Sequence, residues 1–250
     1  MEDYLIKAWE TLKKCSLNGV VFLLDEFHAI RDIKVNKWYV LTDLIGTFNT
    51  LQMKGYRYSL VLCGLPPMLR NVKESRSYSE RMFTVMPISN LHENDAKNAI
   101  LEPIRTIHRS FSDELVSAIV DDVDRYPYFI QFFSSEIIEK TDKSHLDLDD
   151  YNAVRDNILE KLGSDFFAQR MESLSGNQKK ILYAMAAMPE EDANFSSICA
   201  TAHLDKDPVT THLKRLEEKG LIYKPQRGYY CFSMPLFQKY LDRIRFENDS

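Results

Sequence analysis

Two adjacent acids, Asp25 and Glu26, follow five apolar residues, Val20 to Leu24, in the stretch GVVFLLDEFHAI. Magnesium takes carboxylate oxygen and bound water, so an aspartate at a strand end can hold the ion through its hydration shell. A glutamate beside it can accept a proton from an attacking water. The pair therefore suits phosphoryl transfer, with Asp25 toward the metal and Glu26 toward the water. The competing reading is two acids that end a strand in solvent. DEFH also fits the D-E-x-H pattern of helicases, but no Ser-Ala-Thr strand end or arginine motif follows it. No second His or Cys stands at ligand spacing from His28, which reads as a locally hydrogen-bonded, partly buried side chain rather than a metal ligand.

Phosphate chemistry needs a loop of the form G-x-x-x-x-G-K-S/T, whose backbone amides and lysine surround the phosphates. None of the 8 glycines is followed by lysine, so that loop is absent. The segment ahead of Gly19 is also too short to carry the strand, loop and helix it requires.

The elements that must position the acids can be read from periodicity. Tyr4, Leu5, Ala8, Trp9 and Leu12 are spaced for a helix over 3–16, which Asn18-Gly19 ends. VVFLL, at 20–24, is continuously apolar and predicts a strand buried on both faces. A helix at about 36–53 and a second apolar strand, YSLVLCG at 58–64, complete a parallel α/β unit. A helix around 75–82 and a short strand ending near Pro87 follow. From His92 three helical stretches succeed one another, with capping-type starts at Asn94 and Ser112. A polar connector at 141–150 precedes a helix at about 151–162.

Beyond it, Ser175 opens a helix, SSICATAH makes a second, and DPVTTHLKRLEEKG a third, with Pro208 near its start and Gly220 as its stop. Two short strands then flank a turn at 225–228. Helix, helix, helix, hairpin is the order of a winged helix-turn-helix. The exposed face of the third helix offers Thr210, Thr211, His212, Lys214 and Arg215, and the hairpin adds Lys224 and Arg227. These could contact the phosphates and bases of duplex DNA. Against that, 175–250 hold eleven Lys/Arg and ten Asp/Glu, a thin basic footprint that suits a protein-contacting wing as well.

The totals set outer bounds. The 250 residues suffice for one large or two to three small domains, and 44% hydrophobic with 28% charged residues is an ordinary globular composition. A net charge of −5 argues against a chain-wide grip on nucleic acid or an anionic membrane. Cys15, Cys63, Cys199 and Cys231 are scattered singly, which suits free thiols in a reducing compartment. The N-terminus lacks an apolar signal core, and no apolar run approaches the roughly 20 residues of a membrane span. The expectation is a soluble, cytoplasmic protein with no membrane partner.

Several stretches resemble one family. VVFLLDE, SLVLCGLPPML, SRSYSERMFTVMPISNL, RYPYFIQFFSSEI, DFFAQRMESLSGNQKKILYAMA and KGLIYKPQRGYYCFSMPLFQKYL, in that order, are similar to the C-terminal two-thirds of prokaryotic AAA+ ATPases of the origin-recognition, initiator-like type. The resemblance runs from about 18 to 243 and implies a mainly α fold with an α/β part. Its pieces would be an incomplete P-loop core of parallel strands at 1–91, a helical lid at 92–145, and a linker helix with a C-terminal winged helix at 146–245. It implies ATP and Mg2+ as ligands, Asp25 and Glu26 as Walker B acids, and Arg81 as the arginine that reaches a neighbour's γ-phosphate, with Arg76 as its competitor. Cys63, a weak hydrogen-bonding group, stands where a polar sensor is expected. No lid arginine matches, because Arg125 lies on the wrong side of Pro127.

The implied role is a nucleotide-dependent, DNA-associated switch acting as an oligomer or with a partner that supplies the P-loop. The alternative is a non-catalytic winged-helix adaptor that keeps a decayed ATPase core as a scaffold.

Overall fold

The computed structural model describes residues 1–15, 17–33, 36, 37, 39–75, 79–189 and 193–248. The chain divides into two compact units, Met1–Met86 and Pro87–Ser250.

The first unit is built around one parallel strand pair. α1 (Glu2–Lys14) has Glu2 and Asp3 in its first turn and Lys13 and Lys14 in its last, which complements the helix dipole at both ends. β1 (Val20–Leu24) runs parallel to β2 (Tyr58–Leu62), in register from Val20 opposite Tyr58 to Leu24 opposite Leu62. α2 (Val40–Met53) makes the crossover between them, so the expected α/β unit forms. Trp9, Phe22, Phe48 and Tyr58 interlock edge to face between α1, α2 and the strands. The start of α2 is held by a residue outside it: the Asp32 carboxylate accepts from the Leu41 N–H at 2.9 Å, from the Thr42 N–H at 3.2 Å and from the Thr42 hydroxyl.

The expectation that β1 is buried on both faces is corrected. Val20, Phe22 and Leu24 face the helices, whereas Val21 is 56% and Leu23 73% exposed, and Val61 of β2 is 42% exposed beside them. Helices cover one side of the pair, and a continuous apolar run does not reveal which side has a neighbour. After α3 (Pro67–Ser75) and α4 (Ser79–Met82), the strand expected near Pro87 does not form. Val85, Met86 and Ile88 are exposed, with no ladder partner for their backbone groups.

The second unit has one continuous core reaching from Ala96 to Leu241. α5 (Glu93–Thr106) begins at His92 rather than Asn94. β3 (Ser110–Phe111) leads into α6 (Asp113–Asp122), whose cap is Ser112 as expected, its hydroxyl accepting from the Leu115 N–H at 3.2 Å. α7 (Pro127–Glu139) follows, and β4 (His145–Leu146) pairs with β3 in parallel. α8 (Leu148–Leu162) starts three residues before the expected helix because Asp147 and Asp150 form a reciprocal capping box. It passes through a π-helical turn at Gly163–Ala168 into α9 (Gln169–Glu172). That turn aims Phe167 into the core, within 5.9 Å of the Phe129 ring centre and 5.1 Å of those of Phe237 and Tyr240.

Asp122 ties α6 to α8. It accepts from the Tyr151 hydroxyl and the Arg155 guanidinium, both at 2.5 Å. Burial raises the proton affinity of this carboxyl, but the hydrogen bonds from Arg155 and Tyr151 outweigh it and hold the group below the ordinary carboxylate range.

α10 (Gly176–Ala186) carries the Ser175–Gln178 capping box. α11 (Phe195–Ala202), α12 (Lys206–Glu218), an antiparallel pair of β5 (Ile222–Tyr223) and β6 (Cys231–Phe232), and α13 (Phe237–Asn248) complete the unit. The order helix, helix, helix, hairpin is thus present. Residues 92–145 and 146–245, which the sequence suggests are separate, share this one core.

Candidate functional site

The acids stand where β1 ends, at the carboxyl edge of the parallel pair, the place where open α/β sheets present ligand-binding groups. Both are exposed. Asp25 Oδ1 accepts from the Glu26 N–H at 2.8 Å. Glu26 itself adopts φ 53° and ψ 27°, the left-handed region that residues with a Cβ rarely enter. The turn swings the chain into a short 3-10 segment, Phe27–Ala29, with Phe27 buried below it. Backbone bonds lock this corner to the end of β2: Cys63 N–H donates to Leu24 O at 2.8 Å, and Phe27 N–H to Cys63 O at 2.9 Å. The Cys63 side chain is exposed at the same edge, so the structure brings Asp25, Glu26 and Cys63 together.

His28 is the best-anchored side chain of this corner, with only 13% of it exposed. Its Nε2 lies 3.4 Å from Glu26 Oε2, and its Nδ1 accepts from the Leu65 N–H at 3.4 Å. Asn71 of α3 donates to His28 O and Ile30 O, each at 3.1 Å. Gly64 permits the approach: a Cβ there would come within 2.9 Å of His28 N and 3.2 Å of its Nδ1. The local hydrogen-bonding role expected for His28 is what the structure gives. Among the described residues no group of three or more His, Cys, Asp or Glu could hold a metal ion. Gly64, Asn71 and Asp32 had no signal in the sequence, because each acts across a loop rather than at a fixed spacing.

Arg81 is exposed on α4, and no hydrogen bond or ion pair joins it to Asp25 or Glu26 among the described residues. Arg76 lies outside the described residues.

On α12 the proposed DNA-facing residues behave differently from one another. Lys214 and Arg215 are exposed, as are Lys224 and Arg227 near the hairpin. The Lys224 ammonium sits 5.2 Å from the Tyr230 ring centre. The threonines are also exposed, but their hydroxyls bond back to the helix: Thr210 donates to Lys206 O at 2.9 Å and Thr211 to Asp207 O at 3.3 Å. Their hydroxyl protons are therefore committed to the backbone. His212 Nδ1 is buried with no hydrogen-bond partner.

Two cavities lie elsewhere. One, of about 560 Å³, opens between α8 and α13 and includes Glu160, Gly163, Phe167, Tyr240 and Arg243 in its wall. The other, of about 660 Å³, is shallow and lies between Met1, Glu2 and α2. Neither is lined by Asp25, Glu26 or Cys63.

The fold has a clear relative among solved structures. Over 91% of its length the chain is similar to the Walker-type ATPase Paby2304 of Pyrococcus abyssi, with a TM-score of 0.66 and 14% identity. The chain has the fold of a Walker-type ATPase. It spans 64% of the length of that protein. Looser overlaps are found with the RuvB Holliday junction branch migration motor of Thermotoga maritima (TM-score 0.46, 14% identity, 92% of this chain and 71% of that one) and the DNA clamp loader delta protein of Bacillus subtilis (TM-score 0.27, 11% identity, 93% and 73%). Residues 164–241 match a family described as Domain of unknown function (DUF8462). No curated protein matches the sequence.

The Walker-ATPase fold invites a test of whether these residues fit magnesium and a nucleotide. Asp25 keeps Oδ2 outside its bond to Glu26 N–H, which suits a hydrated magnesium ion needing one carboxylate and a phosphate. The nucleotide half does not fit: the sequence holds no G-x-x-x-x-G-K-S/T loop to cradle phosphates.

Proposed function

We propose that this chain is the C-terminal portion, or a P-loop-less version, of an AAA+ ATPase of the origin-recognition, initiator-like type, acting as a nucleotide-dependent, DNA-associated switch. One observation carries the reading: β1 and β2 run parallel around α2 and deliver Asp25 and Glu26 to the carboxyl edge of a Walker-ATPase fold, with Glu26 bent into a left-handed turn. In this reading Asp25 holds magnesium through water, Glu26 takes a proton from the attacking water, and Cys63 occupies the sensor position. The phosphate cradle comes from a partner chain in the assembly. Arg81, exposed on α4, serves a neighbouring copy.

Residues 92–145 form the lid, and 146–245 the linker helix and winged helix. In the latter, Lys214, Arg215, Lys224 and Arg227 grip duplex DNA, with the exposed Thr210 and Thr211 on the same DNA-facing helix. Among the described residues no helix is long and apolar enough to cross a membrane.

The decisive measurement joins the chain to a segment bearing the phosphate loop and follows magnesium-dependent ATP hydrolysis. Activity that disappears in Glu26→Gln supports the reading. No activity, or full activity in Glu26→Gln, overturns it.

A second reading, a non-catalytic adaptor on an ATPase scaffold, draws on the missing G-x-x-x-x-G-K-S/T loop. Nucleotide titration of the 250-residue chain with and without DNA separates the two. Nucleotide-independent DNA or protein binding, persisting when the loop-bearing segment is added, favours the adaptor.

A further inference from the structure

We propose that His28 is a positioning residue: a neutral imidazole that couples the direction of the Glu26 carboxylate to the backbone of the Cys63–Leu65 turn. This rests on Glu26 being the water-facing acid, but the coupling itself is a property of the chain alone.

The tautomer follows from the partners. A backbone N–H can only donate, so the bond from Leu65 N–H requires a lone pair on His28 Nδ1. A neutral ring with Nδ1 bare carries its proton on Nε2, the atom 3.4 Å from Glu26 Oε2. The ring therefore accepts from the turn after β2 with one nitrogen and sets the other, 3.4 Å from Oε2, against the glutamate as an electrostatic contact. A protonated ring would set Nδ1–H against Leu65 N–H and break the first bond.

The rest of the corner is arranged to hold the ring. Asn71 fixes the His28 carbonyl, the ring is largely buried, and the missing Cβ of Gly64 leaves the space it needs. Glu26, by contrast, is 80% exposed and has no other fixed partner for its carboxylate among the described residues. Without His28 the acid would sample several rotamers. With it, a ligand that draws on the Leu65 N–H or displaces Cys63 changes where the carboxylate points. The device is a second contact from the sensor turn to the acid, through one ring.

The test uses the full chain labelled with 15N-histidine and long-range 1H–15N spectra of its 6 histidines, with His28 assigned by its loss in His28→Gln. The expected result is one tautomer for His28, protonated at Nε2 with a bare Nδ1. Its Nε2 signal should move in Glu26→Gln, an exposed change that leaves the fold intact. Gly64→Ala should move the Nδ1 signal and the Leu65 amide together. An Nδ1–H tautomer overturns the proposal. So does a tautomer-averaged ring, or an Nε2 signal that ignores Glu26→Gln.

In the reconstituted ATPase, His28→Ala should lower kcat roughly tenfold with KM unchanged, the signature of a lost interaction that acts in the transition state. An unchanged kcat overturns the positioning role. If that assembly hydrolyses nothing even with His28 in place, the ATPase reading fails instead, and the spectra alone decide the coupling.

Discussion

Glu26 carries a conformational cost that its function would have to justify. A residue with a Cβ in the left-handed region is disfavoured by about 1 kcal/mol, and Asn is one of the few side chains that relieve it. Glu26→Asn should therefore be more stable than Glu26→Gln by about 0.5 to 1 kcal/mol in urea unfolding, since both lose the carboxylate and only one suits the turn. Equal stability would mean that the turn relaxes. The acids themselves were legible because an apolar run ending in Asp-Glu is a local pattern. The histidine was legible only in part. Its isolation from other ligands pointed to a local hydrogen-bonding role, but its partners, Leu65 and Asn71, lie far along the chain and meet it through the parallel pairing of β1 and β2.

Individual elements divide the same way. Ser112 and Ser175 were read as caps because each satisfies an N–H three residues on. Asp32 was not, since it caps α2 from across a loop. The Asp122–Tyr151–Arg155 cluster likewise joins two helices that no spacing rule connects. Its carboxyl is held below the ordinary range in the folded chain, so its contribution is complete above the unfolded value of about 3.9 and drains away as pH falls through the folded one. Asp122→Asn should cost on the order of 2 kcal/mol at neutral pH and flatten the loss of stability below about pH 4, as measured by urea midpoints across pH. For α12, replacing Lys214 and Arg215 with alanine should weaken duplex binding across all sequences. It should also reduce the slope of log K against log salt by roughly one for each phosphate no longer neutralised. Binding indifferent to salt would argue for a protein-contacting wing.

At the scale of the whole chain, the two units differ in how much they bury. The second encloses a continuous core, whereas the first leaves one face of its strand pair uncovered. Trp9 is buried in Met1–Met86 and the sequence has no tryptophan at 87–250, so tryptophan fluorescence reports on the first unit alone while helical circular dichroism is dominated by the second. Fluorescence should change at lower urea than the helical signal. Coincident transitions would show that the units unfold as one. Composition and periodicity announced the α/β unit and the helical remainder, but not which strand face lacks a neighbour, because that depends on elements a single apolar run cannot name. The bare patch of Val21, Leu23 and Val61 lies on a ribbon of two strands, the kind of surface along which molecules add edge to edge. Light scattering of the isolated chain should therefore rise with its concentration, and a charge placed at Leu23 should suppress the rise.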